Sequence, residues 1–298
     1  MSLIRRLFLL SLLAGLAAPY ALAEEMIRLG FLYTARREMS RTEARASFDL
    51  WAQELMAKFD IPIKVYYYDD MAVMRRDFRD LKINGVTTDA MLLARNFQLD
   101  ELAEGYLVAM PGGWNLQLLA AKAAGIRGFQ DLAGKRVVML EDDPTSELFL
   151  EKLCLREFSR ECRQVFAEIQ QVPSNNQAAM RLFFGKADLA LVNRYGYELA
   201  LEMNPQLAGK VDRVLEEMPL ASQYFAFFSP HVAPEFRQRT LRVIPTMHTY
   251  PRGRQLLDMF KMDHLELARP AMLKPFMQLE REYRDLKARA DNKKGQRK

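Results

Sequence analysis

The feature that most constrains the fold of this 298-residue chain is a regular alternation of short apolar segments with amphipathic ones. Residues 26–33 and 63–68 have the apolar pattern of β-strands. Between them Phe48, Trp51 and Leu55 recur at helical spacing. Repeated strand–helix units favour an α/β architecture with largely parallel sheets, because parallel strands need crossover connections.

The alternation is interrupted twice, near residues 112–115 and near residues 219–222. These breaks predict two lobes, each a mostly parallel sheet flanked by helices. Residues 24–115 and 220–298 form the first lobe, and residues 116–219 form an inserted second lobe. Two crossing strands then act as a hinge, and a ligand is expected in the cleft between the lobes.

Two predictions of secondary structure determine where side chains of the first lobe are expected to lie. Residues 90–94 are uniformly apolar and are predicted to be a buried strand, so that Arg95 and Asn96 follow its end. The chain from Pro234 to its end is predicted to be helical.

The first 23 residues have the organisation of an export signal. Arg5 and Arg6 precede an apolar run at residues 7–16, and small residues precede a cleavage site after Ala23. The alternative is a retained anchor, for which the apolar run is short. No later stretch is apolar for long enough to cross a bilayer, so we expect a soluble mature protein in the periplasm.

The formal net charge of +5 is unevenly distributed. Arg5, Arg6 and the tail at 284–298 carry the basic excess, and the remainder of the mature chain is net acidic. A nucleic-acid partner is therefore not expected, since it requires a basic face on the folded body. The tail is interpreted as a solvated helix end, with a membrane or partner contact as the alternative.

The chain has two cysteines, Cys154 and Cys162. In an exported protein they can close a short loop as a disulfide. Two buried free thiols are the alternative. The spacing is not that of a redox CxxC motif, and no nearby histidine suggests a metal site.

The segment 128–147 combines a turn, a short apolar strand and a strong helix start at Asp143-Pro144-Thr145-Ser146. Exposed helix starts can hold small anions, because their first N–H groups lack partners. Here Asp143 and Pro144 already form a complete cap. Neighbouring carboxylates further disfavour a dianion.

Enzyme signatures are weak. The three histidines lie at 231, 248 and 264, and the sequence has no GxSxG or HExxH motif. No catalytic residues, metal or cofactor are expected.

Several segments together carry a family resemblance: DLAGKRV from Asp131, PTS from Pro144, GKADLALV from Gly185 and PRGRQLL from Pro251. In this order they resemble the periplasmic substrate-binding proteins of ABC transporters, in the phosphonate/phosphite-type branch of the two-lobed class. The resemblance implies capture of a small polar or anionic solute for an ABC importer, with its permease as partner. The alternative is a periplasmic sensor that signals to a membrane kinase or cyclase.

Carried over by position, the resemblance implies that the ligand-binding residues are Tyr33, Arg95, Asn96, Thr145, Ser146, Asn175, Asn176 and Asn193. Simpler roles are open for several of them: Thr145 and Ser146 can serve only the helix start, Asn175 can be a cap, and Arg95 can form a surface ion pair. The chain lacks the family's histidine near Asn175 and has an amide at Asn193 where an acid is usual. We therefore expect a ligand that is neutral, zwitterionic or singly charged.

Overall fold

The computed structural model describes residues 26–32, 41–110, 113–260 and 262–295. They form two β-sheets. The first sheet has the order β11-β4-β10-β3-β1-β2 and the second has the order β7-β6-β8-β5-β9. We call the elements around the first sheet the first lobe and those around the second sheet the second lobe.

The strands of the first sheet are β1 (Ile27–Leu32), β2 (Ile63–Tyr68), β3 (Gly85–Asp89), β4 (Ala103–Ala109), β10 (Tyr224–Phe228) and β11 (His264–Ala268). Those of the second are β5 (Leu116–Ala121), β6 (Arg136–Leu140), β7 (Glu168–Val172), β8 (Leu189–Asn193) and β9 (Val211–Met218). The α-helices are α1 (Arg41–Phe59), α2 (Met71–Arg79), α3 (Ala90–Asn96), α4 (Pro144–Phe158), α5 (Cys162–Val165), α6 (Asn175–Phe183), α7 (Arg194–Met203), α8 (Pro234–Val243), α9 (Pro251–Met259) and α10 (Lys274–Gly295).

Both sheets are mixed, which corrects the expectation of mostly parallel sheets. In the first, β1 pairs in parallel with β2 and β3, whereas β10 runs antiparallel to β3 and β4. In the second, β6 is parallel to β7 and β8, and β5 is antiparallel to β8 and β9. The antiparallel pairs arise because the chain leaves the first lobe through β4 and β5 and returns through β9 and β10.

Residues 90–94 are helical and not a strand. The strand is the preceding segment, Gly85–Asp89, and the chain turns directly from it into α3. An apolar run of five residues fits a buried strand and a buried helix equally well, so periodicity could not separate them. This correction places Asp89, rather than Arg95, at the end of the strand.

The chain beyond Pro234 is not helical throughout. β11 (His264–Ala268) pairs antiparallel with β4 and forms an edge of the first sheet. Its outward residues His264 and Glu266 are joined by a hydrogen bond from the imidazole Nε2 at 2.9 Å. A five-residue strand between helical patterns leaves little signal, because alternation needs several residues to be recognised.

The two crossing connections are tied to one another. The side-chain carbonyl of Asn115 in the first connection accepts a hydrogen bond from the Leu220 N–H in the second, at 3.2 Å. The Ser222 hydroxyl donates to the Val108 carbonyl oxygen at 2.7 Å. The connections therefore behave as one paired element between the lobes.

Helix α10 packs against α3 of the first lobe and α4 of the second. Glu282 of α10 forms an ion pair with Lys152 of α4 at 3.1 Å, and Lys287 pairs with Glu161. Ala290 is buried. Within the tail at 284–298, the expectation of a solvated helix end is therefore wrong for Lys287, which pairs with the second lobe, and for Ala290, which is buried.

Cys154 near the end of α4 and Cys162 at the start of α5 form a disulfide, with their Cα atoms 5.3 Å apart. Both cysteines are buried. The bond fixes the turn that contains Ser159, whose backbone is left-handed with φ of 52°.

Candidate functional site

A cavity of about 420 Å³ lies between the two lobes. We call it the interlobe cavity, and its volume is in the range of small-molecule sites. The first lobe and the crossing connection contribute Asp89, Leu92, Val108, Met110, Trp114, Gln223, Tyr224, Met259 and Phe260. The second lobe contributes Leu140, Glu141, Asp142, Asp143, Pro144, Pro173, Ser174, Asn175, Asn176, Asn193, Tyr195, Gly196 and Leu199.

Four strand-to-helix turns build the polar part of the cavity, and each turn carries a side-chain cap. Asp89 ends β3 and accepts from the Met91 N–H at 2.8 Å. In the second lobe Asn193 ends β8 and accepts from the Gly196 N–H at 2.7 Å. Ser174 follows β7 and caps α6, and Asp143 follows β6 and caps α4. These polar side chains converge because the carboxyl ends of parallel strands share one edge of a sheet.

The helix start predicted at Asp143 is confirmed. One oxygen of its carboxylate accepts from the N–H groups of Thr145 and Ser146, both at 3.1 Å. The other oxygen accepts from the Ser146 hydroxyl at 2.6 Å. The first donors of α4 are thus bound by the protein's own carboxylate, and they are not available to an anion in the cavity.

Asn175 joins two of the turns. Its side-chain carbonyl accepts from the Asn193 N–H at 3.1 Å. A Cβ atom on Gly196 would lie 2.4 Å from the Asn175 Cβ, so the close approach of α6 and α7 requires glycine there. The neighbouring Asn176 side-chain oxygen is buried and has no hydrogen-bond partner among the described residues.

Two of the cavity carboxyl groups are buried beyond nine-tenths: Asp89 is 3% exposed and Asp143 is 8% exposed. Burial, together with the charge of Asp143, raises the pKa of Asp89 to about 7, against smaller opposing hydrogen bonds from Met91 and Gln223. Burial also raises the pKa of Asp143. The charge of Asp143 in the second lobe therefore disfavours the ionisation of Asp89 in the first lobe.

The apolar part of the cavity is rich in aromatic rings. Trp114 lies at the crossing connection, and its indole N–H donates to the Val108 carbonyl oxygen at 2.8 Å. Its ring packs edge-to-face on Tyr224, with centroids 5.8 Å apart and planes at 81°. Tyr195 and Phe260 add further rings from opposite lobes.

Of the ligand-binding residues that the resemblance implied, some line the interlobe cavity and others do not. Asn175, Asn176 and Asn193 line the interlobe cavity. Thr145 and Ser146 are buried behind Asp143 and do not line it.

Arg95 and Asn96 lie in the last turn of α3, away from the cavity. Arg95 pairs with Glu280 of α10 at 2.7 Å, and the Asn96 amide donates to the Leu92 carbonyl oxygen. Tyr33 and the expected export signal lie outside the described residues.

Asp89, Trp114 and Tyr224 line the cavity and were not predicted from the sequence to do so. Asp89 carried a signal, since it follows the β-branched Thr87 and Thr88 and precedes an apolar run, as a helix cap does. The two aromatic residues lie at the crossing connections, where no local pattern marks a cavity wall.

Within the described chain, no helix combines the length and apolar character needed to cross a bilayer. Among the same residues, no group of three or more His, Cys, Asp or Glu side chains is arranged to hold a metal ion.

Two α/β lobes, two crossing connections and a lined cavity between them define a two-lobed binding protein of the periplasmic class. The sequence model of the ABC transporter, phosphonate, periplasmic substrate-binding protein family matches residues 38–273. The chain belongs to this family. The matched region ends one residue before α10 begins. No curated protein matches the chain in sequence.

Solved structures with similar folds include PhnD1 of Prochlorococcus marinus in complex with methylphosphonate. It is 15% identical over 87% of this chain and 98% of its own, with a TM-score of 0.59. A binding-protein component of an ABC phosphonate transporter from Pseudomonas aeruginosa is 15% identical over 89% and 88%, with a TM-score of 0.57. A Xanthomonas citri protein bound to ATP is 13% identical over 89% and 98%, with a TM-score of 0.59. At these identities the likeness shows the fold.

Proposed function

We propose that this protein captures a small solute in the interlobe cavity and presents the closed, loaded form to an ABC permease. The observation that carries the proposal is that both lobes and a crossing connection line the same cavity. A ligand there contacts both lobes at once, so it binds the closed arrangement more tightly than an open one. That difference in affinity is the free energy that closes the lobes.

The lobes of this proposal are residues 24–115 with 220–298, and residues 116–219. The two sheets support this division, since every strand of the second sheet lies between residues 116 and 219. The paired connections at Asn115 and Leu220 are then the hinge. Helix α10, which contacts helices of both lobes, is an additional link that any opening motion must accommodate.

The proposed ligand contacts are Asn175, Asn176 and Asn193, with Thr145 and Ser146 holding Asp143 in place. The proposed mature chain begins after Ala23 and acts in the periplasm, in keeping with the family. We propose binding without catalysis, since the cavity residues have structural partners typical of caps and no nucleophile–base pair is found among the described residues of the cavity.

The tryptophans give a direct test, because the chain has only two. Trp114 lines the cavity, whereas Trp51 is packed in the first lobe, where its indole N–H contacts the Met247 sulfur. We expect a cavity ligand to change the emission of the wild-type protein and of Trp51→Phe, but not that of Trp114→Phe.

The screen uses small cationic, anionic and zwitterionic solutes. If none of them changes the emission, or if the change survives in Trp114→Phe, the interlobe cavity is not the binding site and the proposal is wrong.

A further inference from the structure

Among the described residues that line the interlobe cavity, the ionisable charge is of one sign. Its lining contains four acidic residues, Asp89, Glu141, Asp142 and Asp143, and among the described residues no lysine, arginine or histidine lines it. The family's name and the Prochlorococcus structure concern phosphonate, an anion. An anion in this cavity faces acidic side chains from both lobes, and each one that is ionised repels it over short distances in a poorly solvated site.

At two of the four turns that line the cavity, backbone donors that would bind an anion are also occupied. At α4, one of the helices whose starts face the cavity, Asp143 accepts the N–H groups of Thr145 and Ser146. At the end of β3, Asp89 accepts the Met91 N–H. At both turns a carboxyl group therefore occupies the N–H groups that an oxyanion would need as hydrogen-bond donors.

These buried carboxyl groups have no cationic partner of their own. Within the described chain no ion pair joins Asp89 or Asp143 to a basic side chain, although ion pairs are frequent elsewhere, as at Arg136–Asp188. An unpaired buried carboxylate is costly, and the cost is relieved by a bound positive charge. A shared metal ion does not fit, because the described acids form no metal-binding group.

The remaining surface suits the rest of an organic cation. Trp114 and Tyr224 form an edge-to-face pair in the cavity wall, and aromatic faces attract ammonium groups. Leu92 and Leu199 add aliphatic surface from opposite lobes. The buried oxygen of Asn176 lacks a hydrogen-bond donor in the described chain. An N–H group of a ligand can supply one.

We propose that the ligand of the interlobe cavity is a small organic cation, with an ammonium group between Asp89 and Asp143 and an apolar body against Trp114 and Tyr224. This rests on the function proposed above and names the class of its solute. The positive charge then bridges carboxyl groups of the two lobes. Closure is favoured because the closed form brings both acids to the same cation.

The test is isothermal titration calorimetry of the purified mature protein with four probes: n-propylammonium, tetramethylammonium, methylphosphonate and methanesulfonate. We expect one or both ammonium probes to bind and the two anions not to bind. Asp89→Asn keeps a good helix cap and removes the charge, and it is expected to weaken ammonium binding by about tenfold or more. Asp143→Asn should do the same.

The matched control is Asp70→Asn. Asp70 caps α2 by accepting from the Ala72 and Val73 N–H groups, and it does not line the cavity. This variant should bind the ammonium probes as the wild type does. Equal losses in Asp70→Asn and Asp89→Asn would overturn the proposal, because the effect would then be general.

The outcomes also separate this proposal from the function it rests on. If an anionic probe binds with the Trp114 signal and neither ammonium probe does, the protein is a binding protein but the ligand class is wrong. If no probe of either charge binds, both proposals are contradicted. Ammonium binding that is unaffected in Asp89→Asn and Asp143→Asn contradicts the proposed contact.

Discussion

Asp89 and Asp143 are helix caps in different lobes, and both line the same cavity. Each carboxyl group ends a strand-to-helix turn, and each is more than nine-tenths buried. The charge of Asp143 contributes to the raised pKa of Asp89. The pKa of Asp89 in the first lobe therefore depends on how close Asp143 in the second lobe lies.

The first prediction concerns pH and stability. The pKa of Asp89 is about 7 in the folded state, against 3.8 for an ordinary aspartate. Between these values the folded state holds a proton that the unfolded state has lost. The stabilising contribution is therefore complete below pH 4 and is lost as pH rises through 7.

Asp89→Asn isolates this effect, because asparagine mimics the protonated carboxyl group at all pH values. Relative to wild type, the variant should gain in melting temperature between pH 5 and pH 8. The other titratable groups lining the cavity, Glu141, Asp142, Asp143, Tyr195 and Tyr224, are common to both proteins. A difference in melting temperature that does not change with pH would show that Asp89 stays ionised.

The second prediction tests the contact between α6 and α7. Gly196→Ala places a Cβ atom 2.4 Å from the Asn175 Cβ, so Asn175 must move and its bond to the Asn193 N–H is strained. We expect a loss of about 1–3 kcal/mol in unfolding free energy and weaker ligand binding. Gly209→Ala is the control, since nothing lies within 4 Å of its Cβ position. The measurement is urea unfolding of both variants. Equal free energies of unfolding for the two would contradict the close packing of Gly196 on Asn175.

Much of the fold could be predicted from the sequence, and the reason is local chemistry. Asp143-Pro144 is a cap that needs no tertiary context, and its hydrogen bonds are those expected. The apolar run at residues 90–94 has no periodicity that distinguishes a helix from a strand. It is helical because the preceding Asp89 ends a strand and caps the next turn. Arg95 was consequently assigned to the wrong side of the strand–helix unit.

The site was less predictable than the fold. Asn175, Asn176 and Asn193 could be placed in the cavity by position along a resembling sequence. Trp114 and Tyr224 could not, because their contact joins segments about a hundred residues apart and depends on how the two connections cross. The sequence could nevertheless show that carboxylates surround the α4 start, which is the basis of the cation proposal.

The third prediction concerns the disulfide. The bond between Cys154 and Cys162 closes a loop with a sequence separation of 8. For so short a loop, chain entropy gives about 2–3 kcal/mol of stabilisation. Reducing the wild-type protein with dithiothreitol should lower the urea midpoint accordingly. The double variant Cys154→Ala/Cys162→Ala should be insensitive to the reductant. An unchanged midpoint on reduction of the wild type would show that the thiols are free.

The fourth prediction tests the docking of α10 on the second lobe. Glu282→Lys places two lysines together at the Lys152–Glu282 pair, where the native ions are 3.1 Å apart. We expect a loss of about 1 kcal/mol, since the pair is partly exposed. Adding Lys152→Glu restores the opposite charges and should recover most of that loss. A double-mutant cycle without coupling energy would mean that α10 is not held on α4 as described.

The most direct measurement of the central claim is the number of protons exchanged when a ligand enters the cavity. The tighter-binding ammonium probe is titrated at pH 6.5 in two buffers of different ionisation enthalpy. At this pH Asp89 is largely protonated, and a cation beside it lowers its pKa. We expect release of between about a half and three quarters of a proton per cation bound. Proton uptake, or a heat that does not depend on the buffer, would contradict it.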